Sequence, residues 1–211
     1  MKKIVIAMAM IGLLTISSCG KEDNNSSDKG GKEQTIPSNY YVVSPDGTTL
    51  MKWFNTEATS IDMQSDKVLS KITKIGGEKI FADCSQLTSV ILPKNLEIIS
   101  FGAFQDCPLT SINFPNTLKN IEEAAFVGAK FTSLTIPKNV TNIGKEAFYM
   151  TDLLKTVVFE GEVPPTIGHG IFATRKSISS LETIYVPAVS VDRYKNAEGF
   201  KEYADKIKAK P

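Results

Sequence analysis

Few residues in this 211-residue chain are equipped for chemistry, and they do not gather. The only histidine is His169, inside Gly168-His169-Gly170, and the three cysteines are Cys19, Cys84 and Cys107. Catalysis by a Cys–His or Ser–His–Asp set needs an imidazole to take the nucleophile's proton. Both would rest on His169, which its flanking glycines place in a turn. A zinc site needs several Cys, His or carboxylate ligands, and His169 has no spaced partner. No Asp or Glu pair stands out for glycoside cleavage, and there is no glycine-rich phosphate loop. The sequence therefore assigns no catalytic, metal or cofactor-binding residue, and the chain reads as a non-enzyme.

Cys84 and Cys107 matter for a different reason: each lies three residues after a phenylalanine, Phe81 and Phe104. That match belongs to a longer pattern. Pro93, Pro115 and Pro137 are separated by 22 residues, as are Leu87, Leu109 and Phe131, and Phe104, Phe126 and Phe148. A fourth unit runs from Leu154 to Phe172, where the phenylalanine step grows to 24, and another strand follows from Leu181 to Pro187. Upstream, Ile75-Gly76 and Ile80 to Cys84 end an earlier, less regular unit. Proline, aliphatic and aromatic positions recurring together mark a solenoid whose coils stack one on the next. Matching positions on adjacent coils lie about 4.8 Å apart, inside the Cα range of roughly 4.4–6.8 Å for a disulfide. Cys84 and Cys107 are thus either a bridge or two buried thiols. Ala129 and Thr151 at the same place in later coils favour a small buried site.

Within each coil, alternation turns Leu87, Val90 and Leu92 inward and leaves Ser89 and Ile91 outside on a short strand. Proline then ends the strand, because it cannot extend the ladder. Leu96, Ile99, Ala103 and Phe104 return along the back. The outward positions form two columns: Ser89, Ser111, Ser133, Thr156 and Thr183, beside Ile91, Asn113, Thr135, Val158 and Tyr185. This neutral, hydroxyl-rich stripe with apolar spots is the candidate partner-binding face, suited to protein or glycan. A stack needs lids at both ends. Tyr40 to Trp53, turning at Pro45-Asp46-Gly47, predicts a β-hairpin lid over residues 39–60. Over residues 189–211, Ser190 would cap a helix or helix pair carrying Val191, Tyr194, Ala197, Phe200, Tyr203 and Ile207, broken near Gly199. Trp53, Tyr194, Phe200 and Tyr203 are assigned to lid packing.

The amino-terminal end is a separate matter. Lys2 and Lys3 precede a 13-residue apolar run over residues 4–16. A bilayer span needs roughly 20 residues, so this is a signal-peptide core, residues 1–18 forming the signal. Ile16-Ser17-Ser18-Cys19 resembles the lipobox of bacterial lipoproteins, in which the cysteine is lipidated; acyl chains on Cys19 would be the membrane anchor. Residues 19–38 are polar and predict a flexible tether reaching roughly 25 Å. Lys21-Glu22-Asp23 also resembles the acidic export signals of some surface lipoproteins, and reads equally as plain tether. Loss of Lys2 and Lys3 takes the formal charge from +1 to −1, which gives no electrostatic case for nucleic acid.

A leucine-rich strand ending in proline, followed by Ile-Gly-x-x-Ala-Phe, resembles the BspA-type leucine-rich repeat. Residues 143–148 fit that segment fully; residues 99–104 and 121–126 fit it without the glycine. Pro164 to Gly168, Pro187, Tyr194, Phe200 and Tyr203 resemble the family's last coil and cap. The likeness runs from about Ile61 to Ile207, without the regular asparagine after the strand. It implies an α+β, β-rich solenoid over residues 61–188: a right-handed coil with one short parallel strand per repeat, a hairpin cap and a helical cap. The resemblance also implies a surface protein of host-associated microbes that adheres to matrix proteins or other cells. The expectation is a monomeric lipoprotein at the outer membrane, facing outward. A periplasm-facing assembly partner and a glycan-binding accessory are the alternatives.

Overall fold

A computed structural model describes residues 36–174 and 180–211. The signal segment, Cys19 and most of the tether lie outside the described residues. The predicted tether boundary at residue 38 falls late: Ile36 already packs against the core, and its amide donates to the buried Asp66 carboxylate at 3.1 Å. Asp66 also accepts from the Tyr41 hydroxyl and from the amides of Val68 and Leu69. One buried acid thus joins Ile36 and Tyr41 to the first coil.

The hairpin forms as the turn residues predict, from β1 (Tyr41–Val43) and antiparallel β2 (Thr49–Trp53). The chain then alternates between a front and a back track. β3 (Ser60–Asp62) is front, β4 (Lys74–Ile75) back, β5 (Ser89–Ile91) front and β6 (Ile98–Ile99) back. β7 (Ser111–Ile112), β8 (Asn120–Ile121), β9 (Ser133–Ile136) and β10 (Asn142–Ile143) continue the alternation. β11 (Thr156–Phe159), β12 (Thr166–Ile167) and β13 (Thr183–Val186) complete it. Each regular coil therefore carries two short parallel strands, where sequence patterning assigned only the front one. Two-residue strands have no alternation to read; their signature is one inward isoleucine per coil. Ile75, Ile99, Ile121, Ile143 and Ile167 fall in register along the back sheet.

The back sheet is continuous, in the order β1-β2-β4-β6-β8-β10-β12, so the hairpin is its first rung as well as a lid. The front track is divided into β3-β5-β7 and a second sheet containing β9, β11 and β13. Between the tracks runs a ladder of rings. Phe81, Phe104, Phe126 and Phe148 stack at 4.8, 5.3 and 5.5 Å with interplanar angles of 5–7°. Phe172 continues the ladder at 5.9 Å. Trp53 closes it at one end, 5.4 Å from Phe81, and Tyr203 at the other, 5.7 Å from Phe172. Hydrogen bonds run alongside: the amides of Phe81, Phe104 and Phe126 each donate to the next coil at 2.8 Å.

The carboxy-terminal lid is less helical than expected. One helix, α1 (Val191–Asn196), is followed by turns and by β14 (Ile207–Ala209), which extends the second front sheet beside β13. Ile207 therefore lies on a strand, opposite Ile184, and not on a helical face. Ser190 stands at the helix N-cap without a side-chain capping bond. α1 stops at Asn196, short of the expected break near Gly199, which lies in the following turn at φ +80°, where a Cβ would sit 2.6 Å from Ile167. Tyr194 is buried with its hydroxyl donating to Gly161 at 2.8 Å, and Phe200 packs on it at 5.1 Å. All four predicted lid aromatics are buried.

Candidate functional site

The front strands align the two predicted columns. Ser89 lies opposite Ser111, and Ser133, Thr156 and Thr183 are in register. Thr135, Val158 and Tyr185 are likewise in register, and Ile91 is exposed beside Asp62. Ser111, Asn113, Ser133 and Thr135 are exposed, whereas Ser89, Thr156, Val158, Thr183 and Tyr185 are half-buried. The structure does not join the columns into one stripe, because β7 and β9 share no ladder. It also lengthens them: Ser60 and Asp62 extend the amino-terminal part and Lys208 the carboxy-terminal part. β3 precedes the strict period and β14 follows a non-repeating lid, so the 22-residue spacing gave no sign of either.

At the division lies a cleft of about 690 Å³, half enclosed, on the front of five successive coils. Its polar rim includes Gln64, Lys94, Asn113, Asn116, Thr135 and Glu160. Leu92, Ile112 and Phe114 also contribute to it. Phe114 and Phe131 bring extra ring volume to this point, 5.5 and 5.9 Å from Phe126. Gln64 and Glu160 occupy the coil position held by Pro93 and Pro137 elsewhere. Those two departures from the repeat were the available sequence signal for the cleft.

The other chemical candidates sit apart. Cys84 and Cys107 are free thiols in the core. The Cys107 thiol donates to the Phe81 carbonyl at 3.0 Å. Burial, with a smaller contribution from Asp83, pushes the Cys84 thiol up to about 11. Burial, then Cys84 and Asp106, pushes Cys107 up to about 12. Both are held as unreactive thiols, because the thiolate is the nucleophile. His169 is exposed, with its carbonyl accepting from the Glu146 amide. Among the described residues, no group of three His, Cys, Asp or Glu side chains could hold a metal ion. Among those residues too, no helix is long and apolar enough to cross a membrane.

Short parallel strands on two tracks, an internal ring ladder and distinct lids define a leucine-rich-repeat solenoid, a fold commonly used for protein interaction. The chain belongs to the BspA type leucine rich repeat family, whose model matches residues 56–196 in six copies. Among solved structures it is similar to the pneumococcal vaccine antigen PcpA, at 21% identity and a TM-score of 0.57, over 80% of this chain and 44% of that one. A leucine-rich repeat protein from Bacteroides ovatus is 27% identical with a TM-score of 0.48, over 71% of this chain and 45% of that one. A leucine-rich repeat protein from T. pallidum is 16% identical with a TM-score of 0.45, over 84% of this chain and all of that one. The chain thus spans less than half the length of the first two. No curated protein matches it.

Proposed function

We propose that this protein is a non-enzymatic cell-envelope lipoprotein, anchored by lipid on Cys19 at the outer membrane and facing outward. Its front face binds a macromolecular partner in adhesion or in contact with a host or matrix protein. The observation that carries this reading is the exposed front face, where Ser111, Asn113, Ser133 and Thr135 stand free of the packing that occupies the rest of each coil. A protein that keeps polar side chains exposed on flat strands has area for a partner at little cost in stability.

Three measurements test this. Protease added to intact cells should degrade the protein, and Cys19→Ser should release it from the membrane fraction. Protection from protease while other surface proteins are cut would sink the outward-facing reading in favour of a periplasm-facing one. Partners captured by the wild-type chain should be lost by Ser133→Arg/Thr135→Arg, which places two bulky charges on the exposed face. Unchanged capture would move the interaction elsewhere.

A further inference from the structure

Coils of the front track normally join edge to edge, as β5 joins β7 and β9 joins β11. Across the cleft that bond pattern stops, and β7 and β9 form the ends of separate sheets. Lys94 and Glu160 lie on this cleft, on coils three steps apart, and both are exposed. Neither makes an ion pair among the described residues, although Lys119, Lys145 and Lys155 all do. Two coil steps at about 4.8 Å and one across the interrupted pair set the two positions at least about 14 Å apart. The side chains of Asn113, Asn116 and Thr135 line the space between, with no hydrogen-bond partner among the described residues.

We infer that this cleft binds an extended peptide segment of a partner protein lying across the coils, with an acidic side chain at Lys94 and a basic one at Glu160. The inference rests on the partner-binding reading above and names the chemistry of that partner. An extended chain rises about 3.3 Å per residue, so a 14 Å separation sets the two charges about four residues apart. Amide side chains on the cleft can donate to and accept from a peptide backbone whatever its sequence. Charge complementarity at the two ends then fixes position and register. The cleft offers no exposed ring for the face of a sugar, since Phe114 is buried.

The probe is an array of unstructured nine-residue peptides, incubated with the full chain at low and high salt. One set carries an acidic and a basic residue four positions apart; the others are uncharged, singly charged, or have the two charges adjacent. Preferential binding of the four-apart set, weakened by salt, is expected. Lys94→Glu and Glu160→Lys should each weaken it about 10-fold, and the double reversal should restore it with the peptide running the other way. Both positions are exposed, and circular dichroism would verify that the variants fold. No peptide binding, binding indifferent to charge spacing, or a double reversal no better than the single changes would overturn the inference. Binding of a glycan array that Lys94→Glu abolishes would also overturn it. If cellular capture persists through Ser133 and Thr135 while both reversals leave it untouched, this inference fails and the broader function stands. If the wild-type chain captures nothing, the broader function fails first.

Discussion

At the residue scale, the repeat tolerates exceptions that leave measurable strain. The Ser100 hydroxyl oxygen is buried without a partner among the described residues, so Ser100→Ala removes an unpaid desolvation and should stabilise the chain by about 1 kcal/mol in chemical denaturation. At one matching position in five coils the backbone is left-handed: Lys79, Gly102, Ala124, Glu146 and Gly170, at φ between +54° and +68°. Ala124 holds a Cβ in a backbone region that disfavours one, and Ala124→Gly should raise stability by about 0.5 kcal/mol, less than the full cost of left-handed backbone because glycine loses more entropy on folding. The two core thiols set a pH dependence. From an ordinary value of 9.0 they rise to about 11 and about 12 on folding, so the unfolded chain releases their protons first. Their contribution to stability is complete below pH 9 and is lost as pH rises through 11 and 12. In a Cys19→Ser background, iodoacetamide at pH 8 should leave both thiols unmodified until denaturant is added; rapid alkylation of the folded chain would contradict their burial.

At the scale of elements, the glycine in Ile143-Gly144 is required by close approach between coils. Its φ is not in the left-handed region, but a Cβ would land on the backbone of Glu122 and Glu123 in the preceding coil. Gly144→Ala should therefore cost about 1–3 kcal/mol, read as a lowered denaturation midpoint. Where Glu122 holds the corresponding place, its carboxylate accepts from the Phe101 amide at 3.0 Å, which explains how that coil does without glycine. The front strands and phenylalanine ladder were legible because each is a fixed residue type at a fixed step. The back sheet was less so, since two-residue strands present a single isoleucine apiece. The lid strand β14 was invisible to periodicity: Ile207, Lys208 and Ala209 continue a helical spacing from Phe200, and only pairing with β13 makes them a strand. The exposed columns were legible by alternation, while the break between β7 and β9 coincides with the packing of Phe114 and Phe131 on Phe126, which no single strand records. Phe126 contacts four rings, Phe104, Phe114, Phe131 and Phe148, beside the interrupted sheet. Phe126→Ala should cost about 3–5 kcal/mol.

At the scale of the whole molecule, stability is a chain of nearest-neighbour contacts, since each coil touches mainly the coils before and after it. The continuous back sheet and ring ladder carry cooperativity past the division in the front track. Deletion of residues 205–211 would uncover β13, whose exposed edge is a template for strand addition; light scattering should then show concentration-dependent association absent from the full chain. The ring ladder also gives the protein a built-in optical gauge. Trp53 is the only tryptophan, and it sits at one terminus of the stack with its indole N–H bonded to Asn55 at 2.8 Å. Its emission reads the amino-terminal end alone, whereas circular dichroism reads every coil. In the intact chain the two signals should change at one denaturant concentration. With Phe126→Ala cutting the stack at its middle, they should part, and the gap between them would measure how much of the molecule's unity passes through a single column of rings.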